Sequence, residues 1–349
     1  GTLTITDTST GEKGTIKGIG YISCEGAVLH NYTNATLTVG AVNVDGNAAG
    51  MAAGTGQYVI ANDGGTIIID GTNVYDTATS ASLLVNKAGT MKVQNNAVLN
   101  HPNTKTINAK GGNVTIENAT ISSDRYAIFA TKNSNVTINS GVTINGTGTV
   151  KKDENTATVN NNTGAGLPVP VGYEWVEENG TQTLKMNAAV VGGVNYPTLA
   201  EALAALNGTN HTLTLIDGSM WDADTPVYWK AGTQSDYAAT LTDALTAAYK
   251  ANAGDITIVC RPGADVGKMT HGHVADNLTI YGNDAYISDG ECDLEVDTYP
   301  YSRTSGTQIK AENAQPTDYL SKDITITAYE LDNLGVWGER HTNNNVNVV

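Results

Sequence analysis

The sequence predicts an all-β chain of stacked coils, a right-handed parallel β-helix in two stacks, and three observations predict it. First, an apolar-x-apolar pair keeps returning: Ile67/Ile69, Met91/Val93, Val114/Ile116 and Val136/Ile138 lie 24, 23 and 22 residues apart, with Leu37/Val39 a further 30 upstream. Second, another apolar site (Ile60, Val85, Ile107, Ile128) precedes each pair by six to eight residues. Third, the chain has one Phe in 349 residues against 38 Gly, so its core must be thin. A period in the twenties marks one supersecondary unit repeated and stacked, and each such unit buries only a narrow stripe against its neighbours. A β-sandwich would bring its strands back every ~8–12 residues through hairpin turns. The interval here is about twice that.

The first stack is expected over residues 1–165. Gly64-Gly65, Gly89 and Gly111-Gly112 stand just before their strands, where a corner needs positive φ. Asp70-Gly71, Gln94-Asn95, Glu117-Asn118 and Asn139-Ser140 follow the strands as turn residues. A third apolar site, Val74, Val98 and Ile121, comes five residues after each strand's last apolar residue. Stacking would set Asn95 and Asn118 about 4.8 Å apart, ready for an amide ladder.

The apolar period dissolves in the polar run 151–166. Residues 166–187 read as linker and β-hairpin, since Asn179-Gly180 joins two strand-like runs. Residues 188–349 read as a second, capped β-helix. Thr198 and Thr240 each stand three residues before an acid, Glu201 and Asp243, and each opens an Ala/Leu-rich helix. Such helices would cover the apolar mouth of a coil stack and its free strand edge. Ile256/Ile258 to Leu278/Ile280 spans 22 residues, and so does Ile324/Ile326 to Val346/Val348. The 46 residues from Leu278 to Ile324 then read as two coils, with Ile309 in the middle strand.

The run Val169-Pro-Val-Gly-Tyr-Glu-Trp-Val, then Ala189-Val-Val-Gly-Gly-Val-Asn-Tyr-Pro-Thr-Leu-Ala-Glu-Ala-Leu and Leu213-Thr-Leu-Ile-Asp, resembles a module of large secreted or wall-attached proteins of gut Gram-positive bacteria. In that family the module introduces β-helix domains of the pectate-lyase-like type. The resemblance covers about 50 residues and implies an extracellular, surface-displayed protein, usually of unassigned activity. The chain opens and closes on strand patterns, as a segment cut from a longer protein would.

With 35 acidic and 19 basic residues the net charge is −16, which disfavours nucleic acid as a partner. No apolar run approaches the ~20 residues needed to cross a bilayer, so no membrane span is expected. Cys24, Cys260 and Cys292 are too few and too scattered for a disulfide framework or a zinc site. Cys260 and Cys292 could pair only if their coils were adjacent.

Catalytic candidates are His271, His273 and Arg261. His271-Gly-His273 would put two imidazoles on one face of an extended segment, but it inverts the Gly-His-Gly of polygalacturonase-like enzymes. Asp289, Glu291 and Asp293 are candidate ligands for Ca²⁺, the one cofactor left open, although they lack regular calcium-loop spacing. Trp221, Trp229, Tyr299, Tyr301 and Trp337 are candidate sugar-stacking residues, and the competing role is packing beneath a cap. Together these readings predict a non-enzymatic extracellular surface protein, adhesin-like or a structural spacer, whose partners are host or plant glycans or other surface proteins. The alternatives are a polysaccharide-binding or polysaccharide-degrading protein, and a trimeric fibre subunit.

Overall fold

The computed structural model describes residues 1–17, 27–46, 58–76, 82–153, 156–251, 254–267, 272–274, 277–288, 292–296, 301–302, 307–308, 324–338 and 346–349. The chain is mostly β-strand, and the described residues contain two short α-helices, α1 (Leu199–Ala205) and α2 (Leu241–Lys250). Its contacts divide it into two units, Gly1–Met186 and Asn187–Val349.

In the first unit, strands from successive repeats pair in parallel, and their register sorts the apolar residues into columns. Leu3, Leu37, Ile67, Met91, Val114, Val136 and Val159 are consecutive partners in one column. It is buried from Leu37 to Val159. Two residues along, Val39, Ile69, Val93, Ile116 and Ile138 form its fully buried companion. A second ladder aligns Ile16, Val44, Val74, Leu99, Ile121 and Ile144. A third aligns Leu29, Ile60, Leu84, Ile107, Ile128 and Val150. Each buried Ile, Leu or Val contributes about 1.5–3 kcal/mol, and only next to the equivalent residue of a neighbouring repeat.

Two expected column members give way to a neighbour. Leu84, not Val85, continues the Ile60 column, because Val85 pairs with Ala61. Leu99, not Val98, stacks on Val74, and Val98 is 38 % exposed. The second slip has a local cause: Asn95 and Asn96 both adopt left-handed φ (57° and 61°), so this turn carries one more such residue than the turns at Gly71 and Asn118.

The expected Asn95–Asn118 side-chain ladder is also corrected. The Asn95 amide donates to Asp70 Oδ1, and the main chain of Asn96 meets the Asn118 carbonyl at 2.6 Å. The amide ladder forms inside instead. Asn31 donates to Asn62 (2.9 Å), Asn62 to Asn86 (2.7 Å) and Asn86 to the Gly111 carbonyl (2.7 Å), all three side chains being buried. An amide suits this role because it carries donor and acceptor together and hands the chain of bonds up one repeat. At the adjoining corner Gly89 has φ 76°, and a Cβ there would lie 2.2 Å from the Gly65 carbonyl oxygen. Only glycine fits.

The parallel order ends at Thr158–Asn161. There the hairpin Tyr173–Glu178/Thr181–Met186 adds in antiparallel sense, turning through Asn179 and Gly180 at positive φ. Tyr173 Oη donates to the Lys152 carbonyl (2.8 Å) and Trp175 Nε1 to the Leu167 carbonyl (2.8 Å), fixing the hairpin at the end of the ladder.

The second unit mixes strand senses. Ala189–Val191 pairs antiparallel with Val194–Tyr196 and Leu213–Leu215. Val227–Ala231 pairs antiparallel with both Gln234–Ala238 and Ile256–Cys260. Parallel pairing then starts, with Ile256 opposite Leu278 and Ile258 opposite Ile280. Both helices are capped as expected: Glu201 N bonds to Thr198 Oγ1 (3.3 Å) and Asp243 N to Thr240 Oγ1 (3.1 Å). α2 buries Leu241, Ala244, Leu245 and Ala248 against the larger sheet.

The expected coil between Leu278 and Ile324 is not there, because Leu278 pairs directly with Ile326 and Ile280 with Ala328. The described strands between them, Cys292–Val296, Tyr301–Ser302 and Thr307–Gln308, belong to other sheets, and Ile309 lies outside the described residues. The next interval holds, with Ile324 opposite Val346.

Candidate functional site

Among the described residues, those singled out from the sequence do not all gather at one place. Arg261 lines an open cavity of about 390 Å³ with Thr212, Thr214, Asn283 and Asp284. The Asn283 side chain accepts from Leu213 N (2.7 Å) and donates to the carbonyls of Cys260 (3.1 Å) and Tyr281 (3.3 Å). The Asn283 amide is thus spent joining three strands. It holds the fold.

Trp221 is 2 % exposed, its Nε1 donating to the Thr225 carbonyl (3.0 Å) and its ring meeting Tyr237 edge-on at 5.6 Å. Trp229 is 8 % exposed, within the core beneath α2. Neither ring offers a face to a sugar; both pack the second unit. His273 and Trp337 flank Glu295 in adjacent parallel strands, Asp293 lies opposite Gly335, and Tyr301 opposite Gln308. His271, Asp289, Glu291 and Tyr299 lie outside the described residues. Among the described residues no group of three His, Cys, Asp or Glu is close enough to hold a metal ion. Cys260 is a free, buried thiol, and burial pushes its pKa up to about 12, which suits packing and not nucleophilic chemistry.

A different cluster emerges on the first unit, on the strands that carry the Ile60 column. At the end nearer the N-terminus, Asp63 accepts from His30 Nε2 (2.7 Å) and faces Lys87 Nζ at 3.2 Å, while His30 stacks on Tyr32 (4.2 Å). Burial would raise the Asp63 carboxyl, but the hydrogen bonds and charges of His30 and Lys87 outweigh it and hold the pKa below its ordinary value.

Further along, cations lie over rings. Lys110 Nζ donates to Tyr58 Oη (3.1 Å), and Lys105 Nζ sits 3.8 Å from the Phe129 centroid. Lys151 Nζ lies 5.6 Å from Tyr126 and 5.7 Å from Phe129, and Arg125 lies 5.3 Å from Tyr126. Register accounts for this closeness, since Lys105 pairs with Tyr126 and Phe129 with Lys151. Burial lowers the Lys105 pKa; Asp153 pulls it back up, and Lys110, Arg125 and Lys151 lower it further.

Comparison with protein-family models, curated proteins and solved structures finds no match to this chain. Among the described residues no helix is long and apolar enough to cross a membrane.

None of the sequence motifs marks this face, because its charged residues are single positions in separate repeats. A periodic signal was present in the polar positions. Asp63, Lys87 and Lys110 each stand three residues after a member of the Ile60 column, and Tyr58, Ser82, Lys105 and Tyr126 each stand two before one.

Proposed function

We propose that the chain is part of a non-enzymatic extracellular surface protein, in which strands wound as a right-handed parallel β-helix form a stiff spacer. The single observation that carries this reading is the register of the first unit: every parallel partner in the Leu37-to-Val159 column is the equivalent residue of the next repeat. Such stacking spreads the load over many parallel hydrogen bonds and dedicates its interior to apolar contacts. A second winding that starts at Ile256 is part of the same proposal, supported by the 22-residue interval to Leu278. The surface setting is supported by the likeness of the segments around Gly172 and Tyr196 to the module of secreted and wall-attached bacterial proteins. The cavity at Arg261 favours the non-enzymatic alternative, because its buried amide is committed to main-chain partners.

Incubation with pectins, host glycans and plant polysaccharides tests the proposal. No new reducing ends and no unsaturated product are expected. Release of either would overturn it in favour of a polysaccharide-degrading enzyme. Sedimentation tests the spacer against a fibre subunit: a monomer mass is expected, and a stable trimer would favour the fibre.

A further inference from the structure

We propose that the Lys105–Lys110–Arg125–Lys151 face of the first unit is a binding site for an acidic polysaccharide, a chain of sugars bearing carboxylate or sulfate groups. The inference goes beyond the spacer reading and does not depend on it.

The chain carries a net charge of −16, yet four cations meet on this one face. Lys110, Arg125 and Lys151 each lie close enough to Lys105 to repel it. Among the described residues no carboxylate lies within salt-bridge distance of Lys105, Lys110 or Arg125; Asp153 reaches only Lys151, at 3.5 Å. Rings hold these side chains in place instead: Phe129 beneath Lys105, Tyr126 beside Arg125 and Lys151, and Tyr58 beneath Lys110. A cation–π contact positions an ammonium or guanidinium without cancelling its charge. Asp153, which also attracts Lys105, is one carboxylate against four cations, and the positive charge left in excess and held in place is what an incoming anion needs.

The geometry selects the kind of anion. The cations rise with the parallel strands, whose spacing is about 4.8 Å, so they suit a ligand whose charges recur along a line. A peptide would gain most by adding a strand, but these strands already pair on both sides, Lys105–Ala109 with Ser82–Gln94 and Tyr126–Ala130. Single-stranded nucleic acid needs open rings for its bases, whereas Phe129 is 5 % exposed beneath Lys105. A glycan requires only the charges and hydrogen bonds from its hydroxyls.

The test is titration of the full chain with polygalacturonate, heparin, neutral dextran and single-stranded DNA, by calorimetry at low salt. Binding of polygalacturonate identifies carboxylate as the recognised group, and binding of heparin alone identifies sulfate. Affinity should fall about tenfold or more from about 50 to 200 mM salt. The variant K105Q/K110Q/K151Q should lose about tenfold in affinity with an unchanged melting temperature, while the second-unit variant K230Q/K250Q should bind as the parent does. Should the triple variant melt lower, the single variant Lys110→Gln serves and should lose about threefold. No binding of either acidic polysaccharide, binding by the first-unit Lys variants equal to the parent's, or equal affinity for dextran or DNA would overturn the proposal.

Discussion

The two units treat the same kind of sequence interval differently. In the first, each repeat pairs in parallel with the next and every column residue meets its equivalent. In the second, an interval of 22 residues gives the Ile256–Leu278 pairing, but 48 residues bring Leu278 straight to Ile326 with no rung between them in this sheet. A recurring apolar pair therefore marks a rung only where its repeat has no room to wander. The second unit also joins antiparallel hairpins to its parallel sheet, and α2 supplies part of its core.

The largest test of this contrast is a cavity in one column. Ile116→Ala should destabilise the first unit by about 2–5 kcal/mol, because Ile116 is fully buried between Val93 and Ile138. Calorimetry should move one unfolding transition and leave a second, assigned by Ile280→Ala, in place. A single transition displaced equally by both variants would mean that the units do not unfold separately.

Polar joints come next. Asn62→Ala breaks the amide ladder in the middle and takes one partner from each of Asn31 and Asn86, whereas Asn283→Ala removes a partner of the Leu213 amide and of the Cys260 carbonyl in the second unit. Each should cost about 1–3 kcal/mol, read by denaturant titration. The Asn62 variant should cost more, since its amide makes five bonds that reach the repeat on either side, against three for Asn283. Equal costs would show that repetition adds nothing to the joint.

Helix caps are a second-unit device. Thr240→Ala removes the acceptor of Asp243 N and should lower stability by about 1 kcal/mol, measured by the same titration. An unaltered midpoint would show α2 to be held by packing alone.

The smallest effect is electrostatic. The folded Asp63 carboxyl has a lowered pKa, so its contribution is present above the unfolded carboxylate value and fades as pH falls through the folded one. Comparing parent and Asp63→Asn by thermal melts from about pH 6 to 2.5 should show a difference below about 1 kcal/mol that vanishes at the acid end. A difference that persists there would assign the effect to something other than ionisation.

Much of the first unit was legible because burial imposes a strict choice at Ile67, Met91, Val114 and Val136. The hairpin was legible through Asn179-Gly180, whose left-handed φ values few other pairs adopt. The slips to Leu84 and Leu99 were not, since adjacent apolar residues compete for one inward position and only the turn decides between them. The burial of Trp221 and Trp229 was equally hidden, because an indole serves a core or a sugar with the same chemistry. The cationic face escaped because its members become neighbours only through register: Lys105 and Lys151 are far apart in sequence and two strands apart in space.

The most direct measurement of the stacked register uses spin labels on Thr38, Ile68 and Thr137, which occupy one row between the buried columns. The pairs Thr38/Thr137 and Ile68/Thr137 are four and three strand spacings apart, so their separations should be about 19 and 14 Å and differ by one spacing. Distances that fail to step by one spacing per repeat would contradict the stack.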